Sequence, residues 1–186
     1  VVAAEREEQG AGFTAVDAGC GNGWAARLMA QHELCEGVTA VDGAALMIEK
    51  AGQSHERDVA GLAADQGMAS IEYRVADVET WFPEEAVDVA LFGETLYLLE
   101  DPEGSLQHVV NAWLKPGGRV VASLDCYREN KLSHTWEEDL GVQMHCYGEG
   151  DWQDMFKAAG LTDVQIWRAK AAGPWQGTLI VTGTKA

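Results

Sequence analysis

A short apolar strand that runs straight into Asp17-Ala18-Gly19-Cys20-Gly21-Asn22-Gly23, and from there into a helical stretch, constrains this chain more than any other feature. Glycines at 19, 21 and 23 remove the Cβ atoms that obstruct a sharp turn, so the backbone can come close to a ligand. The helix beyond the turn presents unpaired N–H groups and its positive end to whatever lies in it. A strand, a glycine turn and a helix in that order open an α/β unit with a parallel sheet.

The rest of the chain continues that pattern. Short apolar runs suited to strands lie at Phe13–Ala18, Val38–Val41, Ile71–Val75, Val87–Phe92, Arg119–Leu124, Val164–Arg168 and Thr178–Thr182. Several are continuous and β-branched, as expected of parallel strands buried on both faces. Between them lie helical patterns. Leu106, Val109, Val110, Trp113 and Leu114 make one apolar stripe after Pro102, stopped at Lys115-Pro116-Gly117-Gly118. Ala44–Gly67 reads as a helix with a break near Gly52, and Asp151 is placed to cap a helix carrying Trp152, Met155, Phe156 and Ala159. Only Ala169–Gly177, with Gly173-Pro174 inside it, separates the last two strands. That is too short for a crossover helix, so they pair antiparallel. The expected architecture is a Rossmann-like α/β three-layer sandwich: a seven-stranded, mostly parallel sheet finished by an antiparallel C-terminal hairpin strand. The length fits a single domain over residues 1–186, with 126–150 as a lid or insert on the acceptor side.

Which ligand the glycine turn serves follows from the residues around it. Asp42 ends the second strand about 20 residues on, where a carboxylate takes both hydroxyls of a ribose. A dinucleotide site needs a small residue at the sixth position of its glycine fingerprint, but here that position is Trp24. Asp17, just ahead of the glycines, would repel a pyrophosphate and suits a cofactor bearing an ammonium and a sulfonium. Asp77, at the end of the third strand, is placed to accept from an adenine amino group. The pattern favours S-adenosylmethionine (SAM) over NAD, and the terminal hairpin also argues against a dehydrogenase.

Asp17–Gly23, Asp42, Ala76-Asp77, Val87–Pro102 and Leu114–Val121 resemble, in order, the motifs of class I SAM-dependent methyltransferases, in the branch of the ubiquinone and menaquinone biosynthesis enzymes. The likeness runs from about Phe13 to the C-terminus. It implies a methyltransferase that uses SAM and releases S-adenosylhomocysteine (SAH), moving the methyl group to a small-molecule acceptor by in-line displacement. By the same resemblance Asp17 and the turn Gly19, Cys20, Gly21, Asn22, Gly23 hold the methionine part, with no special role for Cys20. Asp42 with Gly43 takes the ribose, Asp77 with Val78 the adenine, and Met47, primarily a core residue, lies toward the adenine side. Gly93, Glu94 and Tyr97 border the transferable methyl group, and Glu94 and Tyr97 shape the acceptor pocket. Such enzymes carry helical residues before the first strand that roof the site, whereas 12 residues precede Phe13 here. Either the chain is trimmed or the roof comes from elsewhere.

The long stretch Asp125–Gly150 is expected to wall an acceptor site, since a loop of this length in a small domain is usually a lid or binding loop. Trp136 is the tryptophan expected to line a pocket, while Trp113 and Trp152 fall on apolar helix faces. His134 and His145 are candidate general bases, weighed against ordinary hydrogen-bonded surface histidines, and His134 is the one expected to act with Glu94 and Tyr97. The spacing of His134, His145 and Cys146 matches no zinc pattern, so no metal is expected. Thirty acidic against 13 basic residues give a net charge of −17. A surface of that sign repels phosphate backbones and anionic lipid, which argues against nucleic-acid and membrane partners, and it is equally what adaptation to high salt produces. The four cysteines, Cys20, Cys35, Cys126 and Cys146, have no paired spacing and read as free thiols of a cytoplasmic protein, monomeric or homodimeric. One rival reading from another class stays open: a SAM-binding subunit that activates a partner without catalysing.

Overall fold

Residues 11–60 and 68–186 are described by the computed structural model of the chain. Seven strands, β1 (Phe13–Ala18), β2 (Cys35–Asp42), β3 (Ser70–Val75), β4 (Val87–Gly93), β5 (Leu114–Leu124), β6 (Leu161–Ala169) and β7 (Thr178–Lys185), form one sheet in the order β3-β2-β1-β4-β5-β7-β6. β7 alone runs against the others, paired antiparallel to both β5 and β6. The helices are α1 (Trp24–Ala30), α2 (Ala45–Ala60), α3 (Pro102–Ala112), α4 (Trp136–Leu140) and α5 (Glu149–Ala158).

The period-two alternation of β1 builds both layers. Phe13 and Ala15 pack with Ala26 and Ala30 of α1 and with Val38 and Ala40 of β2 on one face. Val16 and Ala18 join Phe92, Leu106, Val109, Trp113, Trp152 and Phe156 on the other. Trp113 is fully buried there, as its place on the apolar stripe predicts, and its indole N–H donates to the Trp81 carbonyl at 2.9 Å. At the opposite end from the glycine turn, Asp88 ties three strands together. Its carboxylate accepts from the Thr14 N–H at 2.9 Å and from Lys115 Nζ at 2.8 Å.

The chain leaves β1 for β2 and β3 on one side and returns to β4 on the other. The carboxyl ends of β1 and β4 therefore flank a topological switch point, where open α/β sheets bind ligands.

Several expectations need correction. α2 continues through Gly52 without a break, because an isolated glycine lowers helix propensity by only ~1 kcal/mol and its neighbours hold the ladder; residues 61–67 of the expected helix lie outside the described residues. Leu114 does not end the α3 stripe. It starts β5, paired with Val87, and a register shift carries the strand past Pro116 and Gly117 (φ +76°). The Asp125–Gly150 stretch is more ordered than its sequence suggests, with a 3-10 turn at Lys131–Ser133, then α4, and α5 beginning at Glu149. Asp151 lies inside the first turn of α5 and accepts from the Gly148 N–H at 2.9 Å. Cys126 and Cys146 form a disulfide across Cα atoms 5.2 Å apart, against the expectation of four free thiols; Cys20 and Cys35 are free. The return of the chain from β5 to α5 brings the pair together, which no sequence spacing shows. Among the described residues no helix is long and apolar enough to cross a membrane.

Candidate functional site

The glycine turn is fastened to β2 by its own backbone. The N–H groups of Gly19 and Cys20 both donate to the Val41 carbonyl, at 2.8 and 2.9 Å. Gly21 N–H donates to Asp42 Oδ2 at 2.9 Å, and Ala44 N–H donates to Asp42 Oδ1 at 2.8 Å. Asp42 is thus held by two backbone donors at the end of its strand, with its remaining lone pairs free to accept from a ligand.

All three turn glycines have left-handed backbones, with φ of +69°, +53° and +73°. At two of them close approach is the second reason for glycine. A Cβ at Gly19 would meet the Thr95 side chain at 2.2 to 2.8 Å, and one at Gly23 would meet Tyr73 at 2.8 Å. Thr95 Oγ1 lies 3.2 Å from the Gly19 carbonyl and 3.1 Å from that of Gly93, so this hydroxyl links the carboxyl ends of β1 and β4. Nothing in its sequence context marks Thr95; only the strand order places it against Gly19.

A cavity of about 350 Å³ opens at this switch point, lined by Gly19, Asp42, Gly43, Asp77, Val78, Gly93, Glu94, Thr95, Leu98 and Leu99. Its volume falls in the usual range for small-molecule sites. A Cβ at Gly43 or Gly93 would meet no described atom within 4 Å, so both glycines border open space that a side chain would fill. Two carboxylates on its wall, Asp42 at the end of β2 and Asp77 just beyond β3, and a glycine-edged cradle fit a cationic nucleoside cofactor.

The other anticipated residues divide. Asp17 is 2% exposed and outside the lining. Its Oδ2 accepts from the Ala26 N–H at 3.0 Å, clamping β1 to α1. Burial pushes its carboxyl up to about 7, the Ala26 bond offsets part of this, and Asp42 adds repulsion. Cys20 is buried beside the turn, and burial pushes its thiol up to about 12. Asn22 is exposed and its Oδ1 accepts from Trp24 N–H, while Met47 is half-buried on α2 outside the lining. Asp77 is exposed and caps its own turn, accepting from Glu79 N–H at 2.9 Å.

Glu94 and Tyr97, expected on the acceptor side, come together. Tyr97 hydroxyl donates to Glu94 Oε2 at 3.2 Å, and the Asp125 N–H donates to the same oxygen at 2.7 Å. Glu94 has φ +58°, unusual for a long side chain and of the kind that gathers at functional sites. Burial, then the nearby Asp125 charge, raises its pKa. His134 is not brought to this group: it is exposed, with Nε2 2.8 Å from the Arg128 carbonyl. Trp136 packs at the edge of the core rather than lining the cavity. His145 lies nearer, its backbone N–H donating to the Tyr97 carbonyl at 2.8 Å. Among the described residues no group of three or more His, Cys, Asp or Glu is arranged to hold a metal ion.

The sequence is similar to trans-aconitate 2-methyltransferase of Klebsiella pneumoniae (strain 342), with 27% identity over 161 residues, covering 82% of this chain and 57% of that protein. The chain spans well under two thirds of the length of the curated relatives it matches. Its fold is similar to a Haloferax volcanii methyltransferase solved in complex with the Trm112 methyltransferase activator (TM-score 0.73, 25% identity, 94% of this chain and 83% of that one). It is also similar to the N-methyltransferase NodS of Bradyrhizobium japonicum bound to SAH (TM-score 0.68, 18% identity, 98% and 83%). The family described as "Methyltransferase domain" matches residues 16–122, more than half of the chain, from the end of β1 and the glycine turn into β5. With that match laid over the cavity at the switch point, the chain belongs to the methyltransferase-domain family, whose methyl donor is SAM.

Proposed function

We propose that the chain transfers the methyl group of SAM to a small-molecule acceptor by in-line displacement, using the cavity at the carboxyl ends of β1 and β4. The observation that carries this reading is Asp42, fixed by the Gly21 and Ala44 N–H groups on the wall of a glycine-edged cavity. Asp42 and Gly43 take the ribose, Asp77 and Val78 the adenine end, and Gly19 through Gly23 the methionine end. Asp17 acts beneath the turn, by holding β1 to α1. When bound, SAM supplies a methyl group on a good leaving group, so the task left to the protein is alignment and exclusion of water. Positioning of that kind lowers barriers by several kcal/mol, up to roughly 7–11 in the best model systems. Glu94 and Tyr97 border the acceptor, with the Asp125–Gly148 segment as the wall. The cytoplasmic setting belongs to the same proposal; the free thiols of Cys20 and Cys35 support it and the Cys126–Cys146 bridge weighs against it.

The test is calorimetric titration of SAM and SAH into the purified chain, at low and high salt, with NAD as control and Asp42→Ala alongside. Micromolar binding that is lost in Asp42→Ala is expected. A folded chain that binds neither compound at either salt overturns the proposal. Turnover by the chain alone then separates catalysis from a role as a SAM-binding subunit.

A further inference from the structure

Resting on the reading of this cavity as the methyl-transfer site, the geometry around Glu94 narrows the acceptor. Glu94 lines the cavity, and one carboxylate oxygen already takes two donors, the Asp125 N–H and the Tyr97 hydroxyl. Behind it stands a second carboxyl, Asp125, whose Oδ1 is buried without a hydrogen-bond partner. Among the described residues neither carboxyl is paired with a lysine, arginine or histidine, although the ion pairs elsewhere use both acids and bases of this chain. His145 Nε2, on the residue that donates its backbone N–H to Tyr97, is likewise buried and unpartnered. The donors that reach Glu94, the Asp125 N–H and the Tyr97 and Ser123 hydroxyls, are all neutral, so the two carboxyls have no cationic partner among the described residues. Two carboxyls held this way without a counter-charge cost stability unless a cation or a strong donor arrives. Leu98 and Leu99 supply the remaining apolar wall.

We propose that the acceptor is a small amine with an apolar body, bound as its ammonium ion by Glu94 with Asp125 behind it. An alcohol offers these carboxyls a single neutral donor where an ammonium offers three charged ones, and a carboxylate or phosphate acceptor meets them with like charge. The ammonium first gives one proton to the Glu94 carboxylate, leaving a neutral nitrogen with a free electron pair. That pair forms the bond to the methyl carbon as the carbon–sulfur bond breaks and its electrons stay on sulfur, giving SAH and an N-methylammonium. The proton on Glu94 passes to water when the product leaves. Burial, which raises the Glu94 pKa, suits it to accept that proton.

The experiment uses the whole chain saturated with SAH, titrated with phenethylamine and with its isosteres 2-phenylethanol and phenylacetate, in wild type, Glu94→Gln and Asp125→Asn. One charge-assisted hydrogen bond predicts at least about tenfold tighter binding of the amine than of the alcohol, and weaker binding still of phenylacetate. That preference should fall to within about threefold in Glu94→Gln and by a smaller factor in Asp125→Asn, each variant still binding SAH. Equal binding of amine and alcohol, a preference for phenylacetate, or no amine binding up to about 10 mM by SAH-loaded wild type overturns the amine assignment while leaving the methyl-transfer site intact. A Glu94→Gln variant that keeps the amine preference but loses affinity for SAM and not SAH assigns the carboxyls to the sulfonium, and also overturns it. Failure of wild type to bind SAH overturns the underlying site and this inference together. If Glu94→Gln does not fold, the Asp125→Asn ratio and the wild-type preference decide the matter.

Discussion

Replacing Gly19 with alanine tests how the turn is held against β4. The new Cβ would lie 2.2 Å from Thr95 Cγ2, 2.4 Å from its Oγ1 and 2.8 Å from its Cβ, while the backbone stays at φ +69°. A left-handed backbone costs a non-glycine residue ~1–2 kcal/mol, and overpacking a well-filled site costs a further ~1–3 kcal/mol. The sum, about 2–5 kcal/mol, corresponds to a loss of roughly 4–20 °C in Tm for a domain of this size. Gly21→Ala is the matched control: its φ is +53°, but its Cβ meets nothing within 4 Å. Its cost should therefore be the backbone share alone, about 2–8 °C. Thermal unfolding followed by circular dichroism, without ligand, measures both. Adding Thr95→Ala completes a double-mutant cycle, because it removes the Cγ2 and Oγ1 atoms that the new methyl strikes. The coupling should be favourable by about 1–2 kcal/mol even though Thr95→Ala alone loses the hydroxyl's bonds to the Gly19 and Gly93 carbonyls. If Gly19→Ala and Gly21→Ala unfold at the same temperature, or the cycle is additive within ~0.5 kcal/mol, the close approach of Thr95 is not what requires glycine at position 19.

Other consequences are open to equally direct tests. The Asp17 carboxyl rises to about 7 from the ordinary 3.8, mainly through burial, so its contribution to stability is complete below about pH 4 and is lost as pH climbs through about 7. Asp17→Asn should gain on wild type as pH rises from about 4 to about 7 in denaturant titrations, and a difference constant across that range would show that Asp17 does not titrate there. Serine at both Cys126 and Cys146 releases a loop closed across a sequence separation of 20 and should lower stability by ~3 kcal/mol, read as a lower denaturant midpoint at unchanged slope. With a net charge of −17, Tm should rise with added KCl through screening; a flat response would mean that self-repulsion does not limit the fold. Iodoacetamide at about pH 8 should leave Cys20 unmodified in the native chain, since burial pushes its thiol to about 12; rapid labelling would place it in open solvent.

What the sequence makes legible here is mostly what one strand and its next turn decide locally. The apolar alternation of β1, the glycines after it and Asp42 at the end of β2 all depend on neighbours within a few residues, and the fold follows from them. The antiparallel last strand was readable for the same reason, since nine residues cannot hold a crossover helix. Thr95, Leu98, Leu99 and the Asp125 N–H on Glu94 were not readable, because each acquires its place from the order β1-β4-β5 rather than from its own surroundings. Asp17 shows the complementary limit. Its position before the glycines suggested a cofactor ligand, but alternation along β1 puts its side chain on the α1 face, under the turn. The disulfide was hidden because the chain between Cys126 and Cys146, with its 3-10 turn and short helix, had to fold before its partners met.

The place of β7 between β5 and β6 also dictates when the molecule can become complete. Thr178–Lys185 leaves the ribosome after every other strand described, yet it is an interior member of the sheet. Until it inserts, β5 presents an unpaired backbone edge, and β6, with α5 packed on it, has no strand partner. A nascent chain stalled before Thr178 therefore carries the open edge of β5 and an unpaired strand beside it, and a nick or premature stop in the last turn leaves a chain that can pair with its copies instead of with itself.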